Sequence, residues 1–213
     1  MESPLLRMEE DQTMKNKLPI LICALALLCL PGLLPAAPLY VNGALNGSID
    51  AWTINFGYSV TNSFDISGAS TATGVDFGAW YVPGDSFVTV DWMIGTTAYG
   101  SEIGSGTAAV SEAFQYTNGF GYDIYVDSFS LPSLGLAPGT YWLTLQNAVM
   151  AGGNPVYWDE NDGPSSAFEN AEGAIGSEYF AINGPASSVP EPASLILIGS
   201  GLLFAAVLRR KRA

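Results

Sequence analysis

The chain has 213 residues, a formal net charge of −13 and no histidine. Lysine and arginine occur only at Arg7, Lys15, Lys17 and the quartet Arg209, Arg210, Lys211 and Arg212, so the sixteen acids between Pro38 and Leu208 meet no cationic side chain. Nucleic-acid binding is excluded, because neutralising phosphates needs Lys or Arg. Anionic membrane surfaces are equally poor partners for that stretch. Triads, Schiff bases and zinc sites built from His or Cys also lack parts there. Only paired carboxylates remain as catalytic machinery.

From the N-terminus, residues 1–13 carry Glu9, Glu10 and Asp11 and read as an extension before a true start at Met14. Residues 14–36 read as a secretory signal peptide: Lys15 and Lys17 first, then the apolar run Leu18 to Leu34, then small residues with cleavage after Ala36. A signal helix is expected there, handed to the Sec translocon. Both cysteines, Cys23 and Cys29, fall inside it, so the mature protein has no thiol.

Residues 37–183 show alternation and no helical period. Trp52, Ile54, Phe56, Tyr58 and Val60 share one parity, and Phe64 and Ile66 follow in a short strand. Val75, Phe77, Ala79 and Tyr81 alternate with Asp76, Gly78 and Trp80. Val88, Val90, Trp92 and Ile94 oppose Phe87, Thr89, Asp91 and Met93. Tyr122, Ile124 and Val126 alternate with Asp123, Tyr125 and Asp127. Tyr141, Leu143 and Leu145 alternate with Trp142 and Thr144, and Tyr179, Phe180 and Ile182 make a last strand.

Turn signals separate these runs: Asn46-Gly47, Ser67-Gly68, Pro83-Gly84-Asp85, Asn118-Gly119, Pro138-Gly139 and Gly152-Gly153-Asn154-Pro155. Ser101 to Gly106 reads as a loop, and no repeat suggests a propeller or solenoid. The expected fold is all-β, an antiparallel β-sandwich of jelly-roll type.

Two candidate sites lie in this region. Trp158-Asp159-Glu160-Asn161-Asp162-Gly163 packs oxygen donors into a turn. Asp159, Asn161 and Asp162 are the ligand types Ca²⁺ takes, although the spacing is not that of an EF-hand. The plainer reading is an Asp- and Asn-rich surface turn. Asp159, Glu160 and Asp162 are also the densest acids for an acid-pair hydrolase. Trp80, Tyr125 and Trp142 share parity with polar neighbours and are expected on outward faces, where aromatic platforms take sugars; the plainer reading buries them.

Residues 184–188 read as a linker, and residues 189–213 as a tail of three parts. Val189, Pro190, Glu191 and Pro192 form a stiff, extended acidic hinge. Residues 193–208 are apolar; as a helix they cover roughly 24 Å, short of a hydrocarbon core about 30 Å thick. Arg209, Arg210, Lys211 and Arg212 extend that reach by snorkelling and fix a cytoplasmic end. A single transmembrane helix is expected.

Val-Pro-Glu-Pro-Ala-Ser, a short Gly-containing apolar segment and a terminal basic cluster resemble the PEP-CTERM sorting signal of Gram-negative bacteria. The likeness covers about 25 of the 213 residues. It implies that an exosortase processes the chain near Pro190-Glu191-Pro192, and that the protein associates with exopolysaccharide or biofilm matrix. The stretch Gly139-Thr140-Tyr141-Trp142-Leu143 is similar to a strand that recurs in sandwich domains of such proteins. The expected function is therefore an exported, non-enzymatic surface or matrix protein needing no cofactor unless Ca²⁺. It is tethered to the inner membrane until processed. A carbohydrate-binding module and an acid-pair glycosidase stand as alternatives.

Overall fold

The computed structural model describes residues 33–188, and the side chains of 38–185. Residues 36–185 form one compact unit. The membrane helix expected at 193–208, and all of the expected signal segment before residue 33, lie outside the described residues.

No helix occurs among the described residues. The strands, in order, are β1 (Leu33–Val41), β2 (Ala51–Thr53), β3 (Ser59–Ile66), β4 (Ser70–Tyr81), β5 (Phe87–Gly95), β6 (Gly104–Ala109) and β7 (Phe114–Thr117). There follow β8 (Asp123–Leu136), β9 (Gly139–Met150), β10 (Val156–Asn161), β11 (Ala167–Glu169), β12 (Gly173–Ile175), β13 (Ser177–Glu178) and β14 (Phe180–Ser188). Cleavage after Ala36 would leave β1 starting at Ala37. β14 runs through residues 184–188, read above as linker.

Two antiparallel sheets result. In the larger one β4 is central: β8 pairs along nearly all of one edge, with β7 beyond it. The other edge of β4 is shared. β14 takes Gly74 to Phe77 and β10 takes Ala79 to Tyr81. β2 and β13 pair with β10, and β1 with β14. The smaller sheet has the order β12-β11-β3-β9-β5-β6.

The apolar faces of both sheets meet in one core. Val75, Phe77, Ala79 and Tyr81 of β4 are all fully buried, as their alternation requires. Phe77 meets Phe87 of β5 edge-on at 5.8 Å, and Phe64 of β3 meets Phe180 of β14 at 6.2 Å. Such side chains each contribute roughly 1.5–3 kcal/mol by leaving water.

Gly78 sits where the partner of β4 changes. Its N–H donates to the Tyr179 carbonyl at 3.0 Å, and the Tyr179 N–H donates to the Asp159 carbonyl at 2.8 Å. A Cβ at Gly78 would stand 2.7 Å from both Asp159 Cβ and Leu45 Cδ1. Only glycine lets three chain segments meet there.

Four expectations need correction. The parity run 52–60 is not one strand. Phe56 and Gly57 take φ of 56° and 91°, and the Tyr58 N–H donates to the Asn55 carbonyl, so a tight turn passes the chain from one sheet to the other. In β5, register shifts between Phe87 and Asp91 put Phe87 in the core and leave Val88 exposed. β6 begins inside the expected loop, because Gly104 and Gly106 leave room for the Trp92 indole. In β8 the expected faces are reversed. Tyr125 lies across from Ala79, Asp127 from Phe77 and Phe129 from Val75, so this set faces the core.

Candidate functional site

Asp159, expected at a calcium site, is fully buried and acts as a staple. Its Oδ2 accepts from Asn46 N at 2.8 Å; its Oδ1 accepts from Gly47 N at 2.7 Å and Trp80 Nε1 at 2.6 Å. Burial raises its pKa, these donors pull it down, and neighbouring Glu160 pushes it up again. Asn161, two residues along the same face, donates to the carbonyls of Asn42 and Ala44. Its Oδ1 accepts from Gly163 N and Ser177 Oγ. Asp162 turns to solvent. The three are thus not gathered around one point. Two of them pin residues 42–47 over the outer face of the larger sheet, and their oxygens are already occupied by donors.

The three expected aromatics go to three places. Trp80 does face outward from β4, but it is only 5% exposed because other groups cover it. Phe120 stacks on it at 6.0 Å with 20° between planes, and Tyr122 lies at 6.3 Å. Tyr125 turns inward and stacks on Tyr81 at 4.3 Å, so it is not an outward platform. Trp142 stands on the outer face of the smaller sheet, 5.7 Å from Phe168.

Around Trp80, however, there is an aromatic face that the parity reading missed. The Asn118 side chain accepts from Phe120 N and Tyr122 N and donates to the Gly47 carbonyl. That chemistry shapes the β7–β8 hairpin so that Phe120 lies over Trp80. Phe120 remains 66% exposed, and Tyr116, whose hydroxyl donates to the Asn46 carbonyl, 41%. Tyr157 of β10 continues the strip, 5.6 Å from Tyr122. The signal in the sequence was the Asn118-Gly119 turn with Phe120 at its tip.

Two further acids were not foreseen. Asp127 is fully buried on the core side of β8, and neither side-chain oxygen has a hydrogen-bond partner among the described residues. Burial, then the nearby charge of Glu112, pushes its pKa up to about 8. Glu112 accepts from the Tyr81 hydroxyl at 2.7 Å and from Phe87 N at 2.8 Å. Glu178 is also fully buried, and it pairs across from Glu160. The adjacent Asp159 and Glu160 point to opposite faces of β10, as strand neighbours must. Glu160 accepts from Trp52 Nε1 at 2.7 Å.

The sorting tail lies outside the described residues, and its assignment rests on sequence. Residues 188–212 match the family model of the PEP-CTERM protein-sorting motif. The C-terminus is therefore a sorting signal, which marks the protein for export and exosortase-type processing. Among curated proteins, none matches the chain.

Proposed function

We propose that this chain is a non-enzymatic, exported β-sandwich of jelly-roll type that exosortase sorting delivers to the cell surface or the extracellular matrix. The observation that carries the reading is the sorting motif over residues 188–212. The strand order supports the jelly roll. Four strands run β2-β10-β4-β8 in one sheet and four run β3-β9-β5-β6 in the other. The chain passes between the sheets as two interleaved Greek keys would.

A passive role is supported by what the acids do. Asp127 and Asp159 are fully buried, so neither reaches a substrate. The exposed acids keep the domain soluble by mutual repulsion, and association with exopolysaccharide then follows from delivery. Deleting residues 188–212 should send the protein wholly to the medium or periplasm. A truncated chain that partitions like the full one would remove the reading.

One observation favours a second reading, a carbohydrate-binding module. Phe120 and Tyr122 pack on Trp80 and Tyr157 continues from Tyr122, while Phe120 and Tyr116, the latter anchored on the Asn46 carbonyl, are open to solvent. A neutral glycan is the fitting ligand, since no cation between Pro38 and Leu208 would hold an anionic one. Phe120→Ala combined with Tyr116→Ala should then abolish retention on the producer's exopolysaccharide while the fold persists. Unchanged retention would leave the passive role alone.

A further inference from the structure

Glu178 is a buried carboxyl for which no described residue supplies a counter-charge. It is fully buried, and neither carboxylate oxygen has a hydrogen-bond partner among the described residues. Leaving an ionised carboxylate in that state costs on the order of several kcal/mol. Across the β10–β13 pair stands Glu160. Directly opposed residues share a face, with Cβ atoms about 5 Å apart, and like charges so placed repel. Burial first, then Glu160, Asp159 and Asp50, push the Glu178 carboxyl well above its ordinary range. Between Pro38 and Leu208 there is no Lys, Arg or His to answer them.

Both acids are held in place. The Glu178 N–H donates to Asn62 Oδ1 at 3.0 Å, and its carbonyl accepts from Asn42 Nδ2 at 2.6 Å, so its backbone is pinned. Glu160 Oε2 accepts from Trp52 Nε1, which aims the carboxylate. The carboxyl group of Glu160 also lies over Gly176, where a Cβ would overlap it. Glu160 is only partly buried, so solvent reaches the pair from its side.

We propose that Glu160 and Glu178 hold a Ca²⁺ ion at the seam between β10 and β13. A proton would neutralise one carboxyl and leave the other charged. A divalent cation answers both charges and takes the unpartnered oxygens of Glu178. Hard oxygen donors without nitrogen or sulfur select Ca²⁺ or Mg²⁺, and an irregular site suits the looser geometry of Ca²⁺. Among the described residues no group of three or more acidic side chains is arranged around one ion. Two carboxylates therefore carry the site, and water or carbonyl oxygens fill the rest of the shell. So few charges predict an affinity in the range of extracellular modules, about 10⁻⁴–10⁻³ M.

The test is terbium luminescence on the purified full-length protein, excited through tryptophan, since Trp52 touches Glu160. Emission should appear and be displaced by Ca²⁺. Glu178→Gln and Glu160→Gln should each weaken terbium binding at least tenfold, and Asp162→Asn should leave it unchanged. Ca²⁺ should raise the melting temperature of the native protein. It should not raise that of Glu178→Gln, which without metal should melt no lower than the metal-free native protein and so report its own folding. No sensitised emission, or emission that survives Glu178→Gln and is lost in Asp162→Asn, would overturn the proposal. So would a native melting temperature indifferent to both Ca²⁺ and chelator.

Discussion

The Trp80 indole donates its N–H to Asp159 Oδ1 at 2.6 Å, beneath a loop that the same carboxylate holds through Asn46 N and Gly47 N. This one side chain ties β4, β10 and residues 46–47 together. Removing it would leave three buried or half-buried N–H donors without their acceptor. Asp159→Ala should therefore cost about 3–5 kcal/mol, read as a lower urea midpoint, with tryptophan emission shifted as Trp80 loses its cover. A loss under about 1 kcal/mol would mean that the carboxylate is not the staple described.

Gly78 makes a sharper steric prediction. Its absent Cβ is the space in which Asp159 Cβ and Leu45 Cδ1 sit, each 2.7 Å from where that atom would be. Gly78→Ala should destabilise by about 1–3 kcal/mol, the usual cost of overpacking. Gly68→Ala, with open space around the same position, is the control. Equal melting temperatures for the two variants would contradict the crowding.

Asp127 sets a pH dependence with a definite sign. Its folded pKa of about 8 lies above its ordinary value of 3.8, so the folded state binds the proton more tightly. Its contribution to stability is complete below about pH 4 and is lost as pH rises toward 8. The tighter proton binding amounts to on the order of 5 kcal/mol. Asp127→Asn should flatten that slope and make the protein more stable than the native chain at pH 8. Parallel stability curves for the two proteins from pH 4 to 8 would show that Asp127 does not titrate there.

The Phe56-Gly57 turn is tested by relieving it. A bulky residue at φ 56° is strained, and Phe56 is 65% exposed, so little packing offsets the strain. Phe56→Asn should stabilise by about 0.5–1 kcal/mol, because Asn tolerates left-handed backbone in such turns. A lower melting temperature would mean that the exposed ring makes a stabilising contact.

Much of the architecture was written in the parity of β4 and β9, whose alternating residues bury as read. The failures share one cause: alternation reports a face but not which way that face points. Entering β8, Tyr122, Ile124 and Val126 look like the inward set. Phe129 and Leu131, further along, share the parity of Asp127 and carry that acid into the core. The turn at Phe56-Gly57 was hidden because five apolar residues kept step across it. The site residues were harder still. Asp159 and Asn161 were visible as oxygen donors, but whether an oxygen meets a metal or an amide depends on residues 42–47, more than a hundred positions away. Glu178 stood in no motif; only the pairing of β13 with β10 brings it opposite Glu160. The tail, by contrast, was legible as a sorting signal, because its motif lies in consecutive residues and needs no pairing between distant ones.

Export and sorting through residues 188–212 would leave a mark on the protein's mass at both ends, which intact-mass analysis reads. Protein should be recovered from the envelope and medium of its host, with and without the exosortase. The surface form should begin near Ala37 and end near the Pro190-Glu191-Pro192 hinge, and a longer form should keep its apolar and basic tail when the exosortase is absent. A full-length chain in the cytosol, with the same mass in both hosts, would contradict it.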